Sequence, residues 1–174
     1  MTEAKLVKGC ISKNRECQKL LYEKYKTAMF TLAYRLCGDF SEAEDVLQEA
    51  FLEVFSGIKN FRMKSTLGAW IKVIVSRKAI NKYRKRVIFE ELDSLAAEKE
   101  IVWDKQYDGE LLQKALLMLP EGFRTVIVLY EIEGYKHHEI SEMLGIAVGT
   151  SKSQLYHGKK KLKELVLKLD GTQG

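Results

Sequence analysis

From about Arg15 to Cys37 apolar side chains recur at helical spacing (Leu20, Leu21, Tyr25, Ala28, Met29, Leu32, Leu36), and Gly38 with Asp39 ends the run. Ser41, followed three residues on by Glu44, is a capping-box pattern that opens a second helix with Val46, Leu47, Ala50, Phe51, Val54 and Phe55 turned inward. A loop from Gly57 to Ser65 leads to a third helix, from about Thr66 to Arg86, whose stripe is Leu67, Trp70, Ile71, Ile74 and Val75. Beyond a stretch with few apolar points, Ile101 and Trp103 among them, LLQKALLMLP resumes the helical pattern. The single proline, Pro120, suits the first turn of the next helix, where Phe123, Val126, Ile127, Leu129 and Tyr130 supply core positions. No sustained period-two alternation occurs, so the pattern predicts an all-α protein. It divides into two small helical domains, 1–88 and 108–174, joined by a linker over 89–107.

The stretch from Leu119 to Leu162 has the plan of a helix-turn-helix. Ile140 and Leu144 lie four apart on one short helix, and Gly145 follows where a chain leaving a helix often takes a positive φ. Ile146 plugs the corner, and Thr150, Ser151, Lys152, Ser153 and Gln154 open the second helix. Such a helix lies in the major groove with its first residues at base edges, where short hydroxyls and amides bond at close range. Leu155 and Leu162 are the expected buried stripe; Lys152, Lys159, Lys160 and Lys163 are the expected outward face. A helical hairpin with a merely solvated lysine face is the plainer alternative; the order of glycine turn, hydroxyl-rich entry and basic exit favours a nucleic-acid partner.

Charge sharpens this division. Residues 1–88 hold 18 Lys and Arg against 9 Asp and Glu, a balance of +9. Residues 89–110 hold 2 against 8, or −6, and residues 111–174 hold 9 against 7, or +2. Two basic blocks around an acidic connector fit two nucleic-acid-binding units joined by a segment that phosphates repel. The second helix keeps an acidic face of Glu42, Asp45, Gln48, Glu49 and Glu53, which on ionic grounds alone reads as solvated and complementary to the helix dipole. In the loop, Phe61 and Met63 alternate with Arg62 and Lys64, an arrangement suited to an unstacked base and its phosphate; Phe61 and Trp70 serve equally as core aromatics.

Cys10, Cys17 and Cys37 form no C-x-x-C pair and have no histidine at a ligand spacing, so they read as buried thiols of a reducing cytoplasm. No apolar run approaches the ~18 residues of a membrane span, and MTEAKLVKG lacks a signal-peptide core. No G-x-x-x-x-G-K-[ST] loop is present, and the reading assigns no catalytic residue, metal or cofactor. His137, His138 and Glu139 depart from H-E-x-x-H, and adjacent helical residues point about 100° apart, so a metal-dependent hydrolase is disfavoured. Both histidines are expected at the surface near phosphates.

Taken in order, SEAEDVLQEAFLEVF, the spacing from Phe61 to Trp70, LP-x-x-x-R-x-V and EGYKHHEISEMLGI resemble the extracytoplasmic-function (ECF) group of bacterial sigma factors, from about Gln18 to Leu165. The resemblance implies a non-catalytic factor that binds core RNA polymerase and promoter DNA, with an anti-sigma protein as a further partner. By that likeness Asp45, Gln48 and Glu49 dock on the coiled coil of the largest polymerase subunit. Phe61, Arg62, Met63, Lys64, Trp70, Arg77, Asn81, Arg84 and Lys85 hold the melted minus-10 strand. Arg124, Thr150, Ser151, Lys152, Ser153, Gln154, Tyr156, His157, Lys159 and Lys160 read the minus-35 element. Ala147 stands where such factors often carry Ser, Gln154 where Arg is frequent, and Arg77 and Asn81 in place of a common Asn and Asp. These departures bear on base preference. The competing reading is a stand-alone regulator of the response-regulator type, with residues 1–88 as a sensor or dimerisation domain.

Overall fold

Short polar side chains start the helices of the N-terminal half. Thr2 accepts from the Lys5 N–H (3.3 Å) at the head of α1, Glu3–Ile11, which the apolar pattern did not reveal. Asn14 accepts from Cys17 N (3.0 Å) and opens α2, Arg15–Cys37, which Gly38 ends in the left-handed conformation, φ 70°. Asp39 accepts from Glu42 N (2.9 Å) at the start of α3, Phe40–Gly57, so the cap is Asp39 and the expected Ser41–Glu44 box is corrected. One 3-10 turn, Ile58–Asn60, follows within the expected loop, and then α4, Leu67–Tyr83.

In the computed structural model the described residues are 1–83, 101 and 106–171, and the chain divides into two units, Met1–Tyr83 and Arg84–Gly174. Arg84, Lys85, Trp103 and most of the acidic connector lie outside the described residues. All regular structure among the described residues is helical, as expected.

In the first unit α2, α3 and α4 pack together around Leu21, Leu36, Val46, Val54, Ile58, Leu67, Ile71 and Val75, all fully buried. Each such side chain contributes roughly 1.5–3 kcal/mol by leaving water. Leu20 and Ala28, expected inward on α2, face out; Cys17, Ala33 and Cys37 take the inner positions instead. Helix α1 closes on α2 so tightly that a Cβ on Gly9 would lie 2.2 Å from Cys17 Sγ. The three cysteines are buried free thiols, and burial, then neighbouring Cys17, pushes the Cys10 thiol up.

The second unit comprises α5, Gly109–Met118; α6, Glu121–Ile127; a π turn, Val128–Ile132; α7, His137–Leu144; and α8, Val148–Gly171. Pro120 is the cap of α6, its carbonyl accepting from Arg124 N (3.0 Å), one position before the expected first turn. Helix α8 crosses α6 at Gly158, where a Cβ would meet Phe123 Cβ at 3.0 Å and Ile127 Cδ1 at 3.1 Å. Val126, Ile127, Leu129, Ile140, Leu144, Leu162 and Val166 form the core; Phe123 and Leu155 are only half-buried and Tyr130 is exposed, contrary to expectation.

Candidate nucleic-acid interface

The turn between α7 and α8 is built from one serine and one glycine. Gly145 adopts φ 67°, and the Ser141 carbonyl accepts from both Gly145 N (2.9 Å) and Ile146 N (3.1 Å). The Ser141 hydroxyl donates back to the Ile146 carbonyl, a clamp the sequence reading missed. At the other end of α7, Glu139 accepts from the Lys136 backbone N–H (3.1 Å). Helix α8 begins two residues before the expected Thr150: Ser151 N donates to Ala147 O (3.0 Å), which puts Ala147 at the cap with only a methyl to offer.

This register decides which side chains are free to reach DNA. Ser151, Gln154, Gly158, Leu162 and Val166 follow one another at three and four residues and line the buried face. Ser151, Ser153 and Gln154 are at most 2% exposed, so their expected base contacts are corrected: small hydroxyls and an amide fill the packed interior. Ser153 is further occupied in donating to Thr150 O (3.1 Å). Arg124, 3% exposed, donates to the Leu119 carbonyl (3.1 Å) and is likewise corrected from reader to strut. Lys152 and Lys160 are exposed; Thr150, Tyr156, His157 and Lys159 are half-buried. Tyr156 and His157 meet edge-on at 5.1 Å, and Lys159 pairs with Glu131 (2.8 Å).

The two histidines of α7 have different fates. His138 is exposed, as expected. His137 is half-buried, its ring stacked on Tyr130 (4.4 Å between centroids, 18° between planes) and its Nδ1 2.8 Å from the Ser151 hydroxyl. Burial, then the positive charge of Lys152, pushes the His137 pKa down from its ordinary 6.5, with Glu131 opposing. The two imidazoles therefore do not converge on one ligand, and the surface role expected for His137 is corrected. Among the described residues no group of three His, Cys, Asp or Glu side chains is arranged to hold a metal.

In the first unit the outward face of α3 carries Asp45, Gln48 and Glu49, all exposed. Lys82 of α4 lies 3.4 Å from Asp45 and 3.7 Å from Glu49, while Lys78 pairs with Glu53 at 2.8 Å. The hydrogen bond that Lys78 donates to Glu53 holds its ammonium above its usual range. Leu52, one turn beyond Gln48 and Glu49, is 72% exposed in the midst of this acidic face.

The loop before α4 is anchored by one aromatic. Phe61 is buried against Trp70 (5.3 Å between centroids), which resolves its two readings toward packing. Arg62, Met63 and Lys64 stand outward, Met63 at φ 55°, a left-handed conformation uncommon for a side chain of its size. Thr66 accepts from Ala69 N (3.2 Å), and Glu3 of α1 accepts from Leu67 N (3.1 Å), so α4 starts on a double cap. Arg77 and Asn81 are exposed on α4, and Trp70 is half-buried.

The same two units are recognised by comparison with known proteins. The family model described as Sigma-70 region 2 matches residues 21–87, and that described as Sigma-70, region 4 matches residues 109–162. The ECF RNA polymerase sigma factor SigE of Mycolicibacterium smegmatis is 32% identical over 157 residues, covering 85% of this chain and 61% of that protein. The ECF RNA polymerase sigma factor SigW of Bacillus subtilis is 31% identical over 156 residues, covering 80% of this chain and 83% of SigW. Among solved structures, the sigma factor RpoE in complex with the anti-sigma factor NepR from Bartonella quintana superposes with a TM-score of 0.56 at 26% identity, covering 87% of this chain and 97% of RpoE. CnrH, in complex with the cytosolic domain of CnrY, shares the fold with a TM-score of 0.55 at 22% identity. The chain belongs to the ECF sigma factors, the non-catalytic regulators that direct transcription initiation from particular promoters. No helix among the described residues is long and apolar enough to cross a membrane.

Proposed function

We propose that this chain gives core RNA polymerase its promoter choice by gripping DNA at two points, and that it carries no catalytic step of its own. The observation that carries the reading is the division of α8. Its buried face seats it against the second unit, while Lys152 and Lys160 stand free with Thr150 beside them, as a major-groove helix requires. Thr150 and Lys152 meet the minus-35 duplex at its edge and backbone; Tyr156, His157, Lys159 and Lys160 follow the phosphates. In the first unit Arg62, Met63 and Lys64 capture the unstacked minus-10 strand, with Arg77 and Asn81 of α4 along its path. Strand opening draws on these contacts, not on nucleotide hydrolysis.

Asp45, Gln48 and Glu49 dock the polymerase. Leu52 adds the apolar centre that an acidic rim alone lacks, since binding energy concentrates in desolvated apolar contacts. Asp45→Ala combined with Gln48→Ala, and separately Leu52→Glu, are expected to reduce copurification with core polymerase while leaving helix content and melting unchanged. Retention at the wild-type level in both refutes the docking assignment. An anti-sigma protein is proposed as a further partner, on the likeness to RpoE, which was solved with one.

Run-off transcription with core polymerase and a genomic promoter library, with and without this chain, tests the whole reading. A defined promoter subset transcribed only with the chain supports it. A specific DNA footprint by the chain alone points instead to a stand-alone regulator.

A further inference from the structure

The first turn of α8 is tied to its unit by a polar contact. Ser151, wholly buried, sits 2.8 Å from Nδ1 of His137, and Tyr130 covers the flat face of that imidazole. Tyr130 belongs to the π turn, His137 is the first residue of α7, and Ser151 lies in the first turn of α8, so three elements meet at one ring. Beyond the half-buried Leu155, the next apolar side chain of α8 in the core, Leu162 at 8% exposed, lies roughly 16 Å further along the helix axis. The ring and its hydroxyl partner thus give the first turn a side-chain tie of its own, ahead of the α6 crossing at Gly158. Thr150 and Lys152 flank Ser151, and their direction follows the rotation of that turn.

We propose that His137 is the positioning residue of the DNA-reading helix: its Tyr130-clamped imidazole, through the hydrogen bond to Ser151, sets the rotation of the first turn of α8 and the aim of Thr150 and Lys152. This rests on α8 being the reader of duplex DNA. The charged groups about the ring are Lys152 on α8, Glu131 on the π turn, itself paired with Lys159, and His138 and Glu139 next to it on α7. A neutral imidazole offers one donor and one acceptor and can complement the serine hydroxyl; a protonated one only donates and sets a second cation beside Lys152. Burial and Lys152 both favour the neutral ring; a protonated ring can still donate to the Ser151 hydroxyl, but it sets a charge in a half-buried place beside Lys152, so protonation weakens the seating of the ring.

The test uses the full-length chain in holoenzyme on a promoter with and without its minus-35 element, comparing wild type, Ser151→Ala, His137→Phe, the double variant and His137→Asn. Phe keeps the stack and removes the bond; Asn returns a polar group near the position of Nδ1. Each of the first two variants is expected to lose about fivefold in the minus-35-dependent part of binding, with a modest drop in melting temperature that leaves the chain fully folded at the assay temperature. The double variant loses no more than either single one, because both break the same bond, and Asn recovers most of the loss. Titrating the pH downward from about 7.5 until the His137 ring protonates, as followed by its NMR signals, weakens the wild type more than His137→Phe. Additive losses, a Ser151→Ala that binds like wild type, equal pH responses, or losses that merely track melting temperature overturn the proposal.

Amide exchange in the free chain reads the strut without DNA. Ser151 to Gln154 are expected to exchange faster in Ser151→Ala and His137→Phe, while Leu162 to Val166 are unchanged; equal protection at Ser151 to Gln154 refutes the strut. Should wild type itself show no minus-35-dependent binding, the assignment of α8 fails and the exchange result still decides whether His137 fixes its first turn.

Discussion

Single residues in the second unit divide sharply into those buried to hold the fold and those left at the surface. Lys152 is exposed, so Lys152→Ala is expected to weaken promoter binding and reduce the slope of log affinity against log salt by about 0.9, the release of one phosphate's counterion. An unchanged slope removes Lys152 from the phosphate contacts. Ala147, two positions before Gly149, occupies a cap with no side-chain acceptor. Ala147→Ser supplies one for the exposed N–H groups of the first turn and is expected to stabilise the second unit by ~1 kcal/mol, read as a higher urea midpoint. A midpoint that does not move shows that another group already satisfies them. Gln154 is different: only 2% exposed, it belongs to the buried face of α8, and on the proposed reading base preference is better sought at Thr150 and Lys152.

At the scale of elements, the crossing of α6 and α8 is tightly constrained. Gly158 is needed there for close approach, because Phe123 Cβ, fixed to the backbone, stands where a side chain would begin. Gly158→Val is expected to cost about 1–3 kcal/mol of second-unit stability by overpacking, with the first unit unaffected, as amide exchange resolved by residue would show. Wild-type stability in that variant means that the helices separate easily. Helix existence was legible in the chain because apolar spacing is a local property: α2, α3, α4, α5 and α8 all follow from it. What was not legible depends on partners distant in sequence. The short α1 reveals its purpose only when Glu3 is found capping α4 at Leu67, and the polar run after Gly149 looks exposed until its register against α6 and α7 buries Ser151 and Gln154. Phe61 and Trp70 have two equal readings in sequence, and only the fold reveals that Phe61 is buried against a half-buried Trp70. The acidic face of α3 was legible as a pattern, whereas its ion pairs with Lys78 and Lys82 and the exposure of Leu52 were not.

For the whole molecule the acidic connector matters as a tether. The proposed DNA contacts are few in each unit, Arg62, Met63 and Lys64 in one and Thr150, Lys152 and Lys160 in the other, so each unit alone is expected to bind a promoter weakly. Joining them makes the second contact intramolecular, and avidity gains of roughly 10²–10⁴ follow without any new contact. Fragments 1–88 and 108–174, supplied together at micromolar concentration, should therefore leave run-off transcription from a minus-35-dependent promoter roughly a hundredfold below that of the joined chain. Fragment 1–88 should still copurify with core polymerase, because Asp45, Gln48, Glu49 and Leu52 all lie within it. Full activity of the separated pair would show that polymerase itself holds the second unit in place, and the connector would then be dispensable as a link.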